Sequence, residues 1–370
     1  MREIEEQILS LAKDLIRYPT LNPPGEEHLI KERVIRSFQE LGAKVRIIGE
    51  EKRPNILGEI GEGEPVIGIL AHMDVVPPGE GWDTDPFIPV VRNGRLYGRG
   101  AVDNKGPFAA AWGAVKSLIL RNKKIKGKII LGALADEERG SEKGLKLLLK
   151  EGFKADLCLI PDGGKINQAI IGEKGLMWLL LKVRGESAHG SEPGRGKNAI
   201  WILIETLTRL RKISFPPPSP PFSPLTVNLG QIRGGECPNM VPSHAEATLD
   251  IRYPPPLTGE EIIRKLKQNF PPGEEIHLEI LNHTSPHIIE PDSKWLKAFL
   301  SACRENNLPL KLTTMGGNTV AKLLVERGIP AFCHSPEDEP VTHRANESVS
   351  LENLFRVSKI WETFLEKIVC

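Results

Sequence analysis

Seven acidic or histidine residues stand at the ends of short apolar runs: His72, Asp74, Asp103, Asp136, Glu137, Glu138 and Asp162. An eighth, His343, lies in Val341-Thr-His-Arg-Ala-Asn-Glu347, just before the last helix that the sequence predicts. Burying so many carboxylates together is costly unless cations compensate them. A pair of divalent metal ions about 3.5–4 Å apart would do so, with one carboxylate bridging them. Histidine and carboxylate ligands without a thiolate suit zinc, with cobalt or manganese as substitutes.

The elements that must deliver these residues are predicted from periodicity. Val66–Ala71 is a short apolar run after the turn-rich Gly61-Glu-Gly-Glu-Pro65, and it reads as a buried strand. It carries His72 and Asp74 at its carboxyl end, two positions apart and so on one side of an extended chain. That is where open α/β sheets bind ligands. Taken alone, His72-Met-Asp74 is also compatible with a polar turn after a strand. Lys128–Ala135 and Ala155–Ile160 are further predicted strands, leading into Asp136-Glu-Glu138 and Pro161-Asp162. Gly98, Gly100 and Gly106 permit close backbone approach beside Asp103.

Strands and helices alternate through the first half, which predicts a mostly parallel sheet sandwiched by helices, an α/β fold. From Leu176 the order becomes β-α-β-β-α-β, the ferredoxin-like pattern of a compact inserted unit. Pro216-Pro-Pro-Ser-Pro-Pro221 reads as a stiff spacer within it. The first character returns after Pro286. The expected division is a catalytic domain at 1–177 and 285–370, with an inserted dimerisation or lid domain at 178–284.

Composition narrows the function classes. Lys plus Arg total 49 against 48 Asp plus Glu, so no global field recruits nucleic acid or an anionic membrane. No apolar run has the length of a membrane span, and the acidic, amphipathic start lacks a signal-peptide core. The five cysteines are scattered, odd in number and never in a C-x-x-C pair, which predicts a reducing cytoplasm.

The order H-M-D-V-V, Y-G-R-G-A-V-D-N-K-G, D-E-E-R-G-S, P-D-G-G, G-E-K-G-L, S-A-H-G-S-E-P and H-R-A-N-E resembles the dinuclear-zinc amidohydrolase family. That family includes acetylornithine deacetylase, succinyl-diaminopimelate desuccinylase, aminoacylases, carboxypeptidase G and several dipeptidases. The resemblance runs from about Pro19 to the final helix. It implies that Asp103 bridges two metal ions, that His72 and Asp162 complete one site, and that Glu138 and His343 complete the other. Asp74 would orient His72, and Asp136 would be structural. Glu137 would be general base and acid, taking a proton from a metal-bridging water and returning it to the leaving nitrogen.

In the inserted domain the resemblance implies that His189 hydrogen-bonds the developing oxyanion of a neighbouring active site, so a homodimer through this domain is expected. Asn239 and Arg252 would bind the substrate carboxylate, and Gly316-Gly317 would form a substrate-side glycine loop. The expected activity is amide hydrolysis in N-acyl amino acids, of the deacetylase and desuccinylase type. A dipeptidase or other exopeptidase is the alternative, since Asp162 stands where the deacylase branch usually carries glutamate and several dipeptidase branches aspartate. A non-catalytic binding protein of the same fold has little reason to keep Glu137 beside a full ligand set.

Overall fold

The computed structural model describes residues 2–370. Contacts divide the chain into two compact units, one running up to Ile171 and resuming over Ile289–Thr313 and Asn318–Cys370. The other comprises Gly172–Ile288 and Thr314–Gly317. The inserted unit thus extends beyond 178–284 at both ends. It also takes in Gly316 and Gly317, which the sequence analysis assigned to the catalytic domain.

In the first unit a sheet runs in the order Lys44–Glu50, Arg53–Gly61, Lys128–Leu134, Val66–His72, Leu157–Ile160, Ala331–Cys333, Gln168–Glu173. The four strands from Lys128–Leu134 to Ala331–Cys333 are parallel, and the flanking pairings are antiparallel. Parallel neighbours need crossover connections, which cover both faces and make the strands apolar along their length. Val66–His72 is buried at every position after the first, as is Lys128–Leu134.

The connection between those two strands is the helix Lys105–Leu120. Its run Phe108-Ala-Ala-Ala-Trp-Gly-Ala is apolar on all sides, and most of the helix is buried. It packs against Val66–His72 and against the first and last helices, Arg2–Ile16 and Leu351–Val369. Close approach depends on Gly113. A Cβ there would meet Ile8 Cδ1 at 2.4 Å and Ser358 Oγ at 3.1 Å.

A small antiparallel sheet that the sequence analysis did not anticipate joins Val90–Arg92, Arg95–Tyr97 and Ser348–Ser350. Its strands are three residues each, too short to show a period. Pairing Ser348 with Tyr97 sets the His343–Glu347 turn beside the Gly98–Asp103 loop. Glu27–Ile30 forms a 3-10 turn that leads into the α-helix Lys31–Gln39.

The inserted unit carries Gly175–Arg184, Thr226–Gly234, His244–Tyr253 and Glu275–Thr284 in one antiparallel sheet. Numbered along the chain, the spatial order is 2-3-1-4, the ferredoxin-like arrangement expected from the element order. Met177, Leu179, Leu181 and Val183 alternate into a core shared with Leu203 and Leu266 from its two helices. Asn198 caps the first helix, and Thr258 with Glu261 forms a capping box on the second.

Substituting Gly113→Val should lower unfolding stability by about 1–3 kcal/mol through overpacking against Ile8. Thermal and denaturant melts check this; an unchanged melt would show that the helices part without cost.

Candidate active site

The parallel register gathers the site. His72 pairs with Leu134, so the turn after that strand, bearing Glu137 and Glu138, emerges beside His72. On the other side Ile69 pairs with Leu159, and three residues further along each strand lie His72 and Asp162. Asp103 precedes the buried helix Lys105–Leu120, and Asn104 Nδ2 donates to Pro161 O at 2.8 Å, tying the two loops together.

Asp103 is the centre of the contacts. Its Oδ1 lies 2.8 Å from His72 Nε2, and its Oδ2 lies 3.0 Å from His343 Nε2. His343 Nε2 is also 3.1 Å from Glu138 Oε1. His72, Asp103 and Glu138 each offer one ligand atom, and these atoms all lie within 4.8 Å of one another. His72 Nδ1 donates to the backbone oxygen of Asp74 at 2.9 Å, leaving Nε2 to face Asp103.

The Asp74 carboxylate lies beside His72, as anticipated, and has further partners. Its Oδ1 is 3.5 Å from His72 Nδ1, longer than the carbonyl contact. Both its oxygens accept backbone N–H groups at 3.1 Å, from Glu137 and Glu138, and Oδ2 also accepts Asn22 Nδ2 at 2.8 Å. Asp74 therefore shapes the turn that carries those glutamates. Asp136 has left-handed backbone at φ 63°, and its carboxylate accepts from Arg53 at 3.0 Å and from the Lys143 N–H at 2.9 Å.

The electrostatics are those of a pocket short of positive charge. Among the described residues, no lysine or arginine pairs with Asp103, Glu137, Glu138 or Asp162. Lys105 is buried nearby, but its Nζ donates to Tyr18 O at 2.6 Å. Burial, followed by the charge of Asp103, pushes Asp162 up to about 7. Burial also raises Glu137 well above the usual carboxylate range, reinforced by Asp162 and Glu138. Hydrogen bonds to Asp103 and Glu138 push His343 up to about 10. Burial opposes charging of His72, but its bonds to Asp103 and Asp74 prevail and raise it well above its ordinary value. Protons thus collect where carboxylates crowd. The oxygen and imidazole donors suit a divalent ion, which would supply that positive charge instead.

Several contributors carried no assignment in the sequence. Asn22, in the turn Leu21-Asn-Pro-Pro, reaches both Asp74 and Asp136. Glu347 accepts the N–H groups of Gly100, Val102 and Asp103 at 3.1, 3.0 and 3.2 Å. Arg99 Nη1 donates to the other Glu347 oxygen at 2.6 Å. The available signal was the charged end of each motif, Arg99 in Y-G-R-G and Glu347 in H-R-A-N-E.

In the inserted unit two pairs form among the expected residues. His189 and Asn239 are neighbours, because the N–H after His189, from Gly190, donates to Asn239 O at 2.7 Å. His189 Nδ1 accepts the Ser191 N–H at 3.2 Å and lies 2.6 Å from Ser191 Oγ. Arg252 donates to both Asp250 oxygens at 2.7 and 3.1 Å, and its Nη1 donates to Gly316 O at 2.9 Å. Gly317 follows in the same short segment.

The model of the peptidase family M20/M25/M40 matches residues 68–367. A succinyl-diaminopimelate desuccinylase of Gluconacetobacter diazotrophicus is 30% identical over 384 residues, covering 98% of this chain and 97% of that protein. A tripeptidase structure from Staphylococcus aureus superposes with a TM-score of 0.84 at 20% identity, covering 99% of this chain and 98% of its own. A dinuclear metal binding peptidase of the M20 family from Bacillus subtilis gives 0.74 at 16% identity, covering 100% and 99%. With its strand-end acids and histidines gathered into one pocket, the chain belongs to the peptidase family M20/M25/M40 and is a hydrolytic enzyme of amide or peptide bonds.

Proposed function

We propose that this enzyme hydrolyses the amide bond of N-acyl amino acids as a two-metal deacylase of the acetylornithine deacetylase and desuccinylase type. The observation that carries the reading is the convergence of His72, Asp103 and Glu138 ligand atoms within 4.8 Å, beside a half-buried Glu137. Asp103 presents its two oxygens to two histidines, which supports its role as the bridge. His72 and Asp162 are the remaining ligands on one side, and Glu138 and His343 on the other. The ions are zinc in this reading, with cobalt or manganese able to replace it. When bound, they acidify water and polarise the scissile carbonyl.

Glu137 holds and moves the proton. Its raised affinity for protons suits a group that must accept one from water and return it to the leaving amine. His189 donates to the developing oxyanion. The Ser191 N–H occupies Nδ1, so the neutral ring carries its proton on Nε2, where it can be donated. Arg252, steadied by Asp250, and Asn239 bind the substrate carboxylate beside the Gly316-Gly317 loop. A second reading, dipeptidase or exopeptidase action on the same ions, draws on the tripeptidase likeness and on aspartate at position 162.

The assembly in this reading is a cytoplasmic homodimer, with His189 acting in the partner's site. The edge strand Thr226–Gly234 is exposed throughout and shows Val227, Leu229 and Ile232. The adjacent helix Ala199–Leu210 shows Trp201, 68% exposed, and Ile204. An open apolar edge invites pairing with a second copy about a two-fold axis. The five cysteines are all free, as a reducing compartment would keep them.

A panel of N-acetyl and N-succinyl amino acids beside dipeptides should show turnover of the acylated compounds; turnover of dipeptides alone would select the second reading. In the same assay Glu137→Ala should lower kcat by roughly 10²–10⁴-fold with metal content retained, and unchanged turnover would remove Glu137 from the chemistry. Metal analysis should find about two divalent ions per chain, and Asp103→Ala should lose both; retention of one would rule out the bridge. Sedimentation should give a dimer that Ile232→Glu converts to an inactive monomer, whereas a fully active wild-type monomer would exclude action across the dimer.

A further inference from the structure

Asp103 and His343 both sit on irregular backbone. Gly98–Asp103 is a loop between a three-residue strand and a helix, and His343 has left-handed φ of 63°. Regular hydrogen-bond ladders cannot fix such segments, so something else must.

The Arg99–Glu347 pair occupies that position. Glu347 is wholly buried, and Arg99 is 1% exposed. Glu347 Oε1 gathers the N–H groups of Gly100, Val102 and Asp103, a convergence that the φ of +90° at Gly100 accommodates. Its backbone oxygen accepts the Gly98 N–H at 3.0 Å. Arg99 Nη1 closes on Oε2, while Nη2 donates to the carbonyls of Pro78 at 3.2 Å, His343 at 3.3 Å and Pro77 at 3.5 Å. The Trp82 ring lies 5.3 Å from the guanidinium carbon. One ion pair thereby fastens the segment after His72 and Asp74, the loop ending in Asp103 and the turn bearing His343.

A buried ion pair contributes little stability that apolar side chains of similar volume could not supply. An apolar pair could not, however, hold three N–H groups on one side and three carbonyls on the other. We propose that Arg99 and Glu347 are positioning residues for the metal centre, setting the backbone of Asp103 and His343 so that both ions meet a prealigned ligand set. This rests on the two-metal reading above.

The test uses the full-length protein, stripped of metal by a chelator and titrated with zinc by calorimetry below the melting temperature. Circular dichroism of each variant is recorded alongside. Glu347→Gln should bind zinc about 10–100-fold more weakly, as loss of an outer-shell partner does. Arg99→Lys keeps the charge but loses the fork, and it should show the same loss. It decides the matter should Glu347→Gln fail to fold. Folded variants with lower melting temperatures but wild-type zinc affinity would overturn the proposal and leave the two-metal reading intact. A wild type that binds no zinc would overturn both.

Discussion

The site depends on an electrostatic imbalance: Asp103, Glu137, Glu138 and Asp162 share one pocket with only two imidazoles. Coulomb repulsion between such groups is much stronger away from water than in it. In the protein alone burial first, and the neighbouring carboxylates next, raise the proton affinity of Asp162 and Glu137, while bonds to carboxylates raise that of both histidines. Divalent ions would relieve the same repulsion by compensating the charge without protonating the carboxylates, and would so keep them available as ligands. The fold keeps other cations away from this pocket. Lys105 is turned to the Tyr18 carbonyl, Arg99 to Glu347, and Arg53 to Glu27 and Asp136.

Tasks among the carboxylates are separated by what each one accepts. Asp74 and Asp136 spend their oxygens on backbone N–H groups, Asn22 and Arg53, so they organise chain and cannot also ligate freely. Glu137 and Glu138 are consecutive, yet a 3-10 turn with both N–H groups caught by Asp74 lets the two side chains take different surroundings. Glu138 meets His343, whereas Glu137 feels burial first and its acidic neighbours next. Two adjacent residues of one type can therefore carry two functions.

Much of this was legible in the sequence. The buried strands announced themselves as apolar runs bounded by turns, and the β-α-β-β-α-β order of the inserted unit gave its antiparallel sheet. His72, Asp103, Glu138 and His343 stood out by type and placement, and they meet in space. What stayed hidden followed from long-range contact. The small sheet of Val90–Arg92, Arg95–Tyr97 and Ser348–Ser350 is held by pairing across some 250 residues of chain, which no local period reveals. Arg99 and Glu347 read as ordinary charged residues because a buried ion pair has no sequence signature until its partner is known. Asp74 was expected to serve His72 through its carboxylate. That contact is present at 3.5 Å, while the shorter bonds to the Glu137 and Glu138 N–H groups, from the 3-10 turn after another strand, carry no local signal. The Gly316-Gly317 segment groups with the inserted unit because Arg252 and the Lys174 N–H reach its backbone, a contact that chain order does not suggest.

The same long-range construction links the chemistry to folding. Positions 72, 103, 138, 162 and 343 lie on separate segments, so an unfolded chain presents them far apart and with mismatched protonation. Metal affinity in such a case belongs to the native state, and binding adds to its stability by RT ln(1 + [L]/Kd), about 2.7 kcal/mol at a hundredfold excess over Kd. The sheet explains why this coupling can be tight. His72, the Glu137–Glu138 turn and Asp162 leave three adjacent parallel strands that are buried along nearly their whole length, so their ends are held firmly in place. Asp103 and His343 lack that support, and the ion pair beneath them supplies it. A rigid half and a fastened half thus make one centre, with Glu137, the proposed proton carrier, on the rigid side.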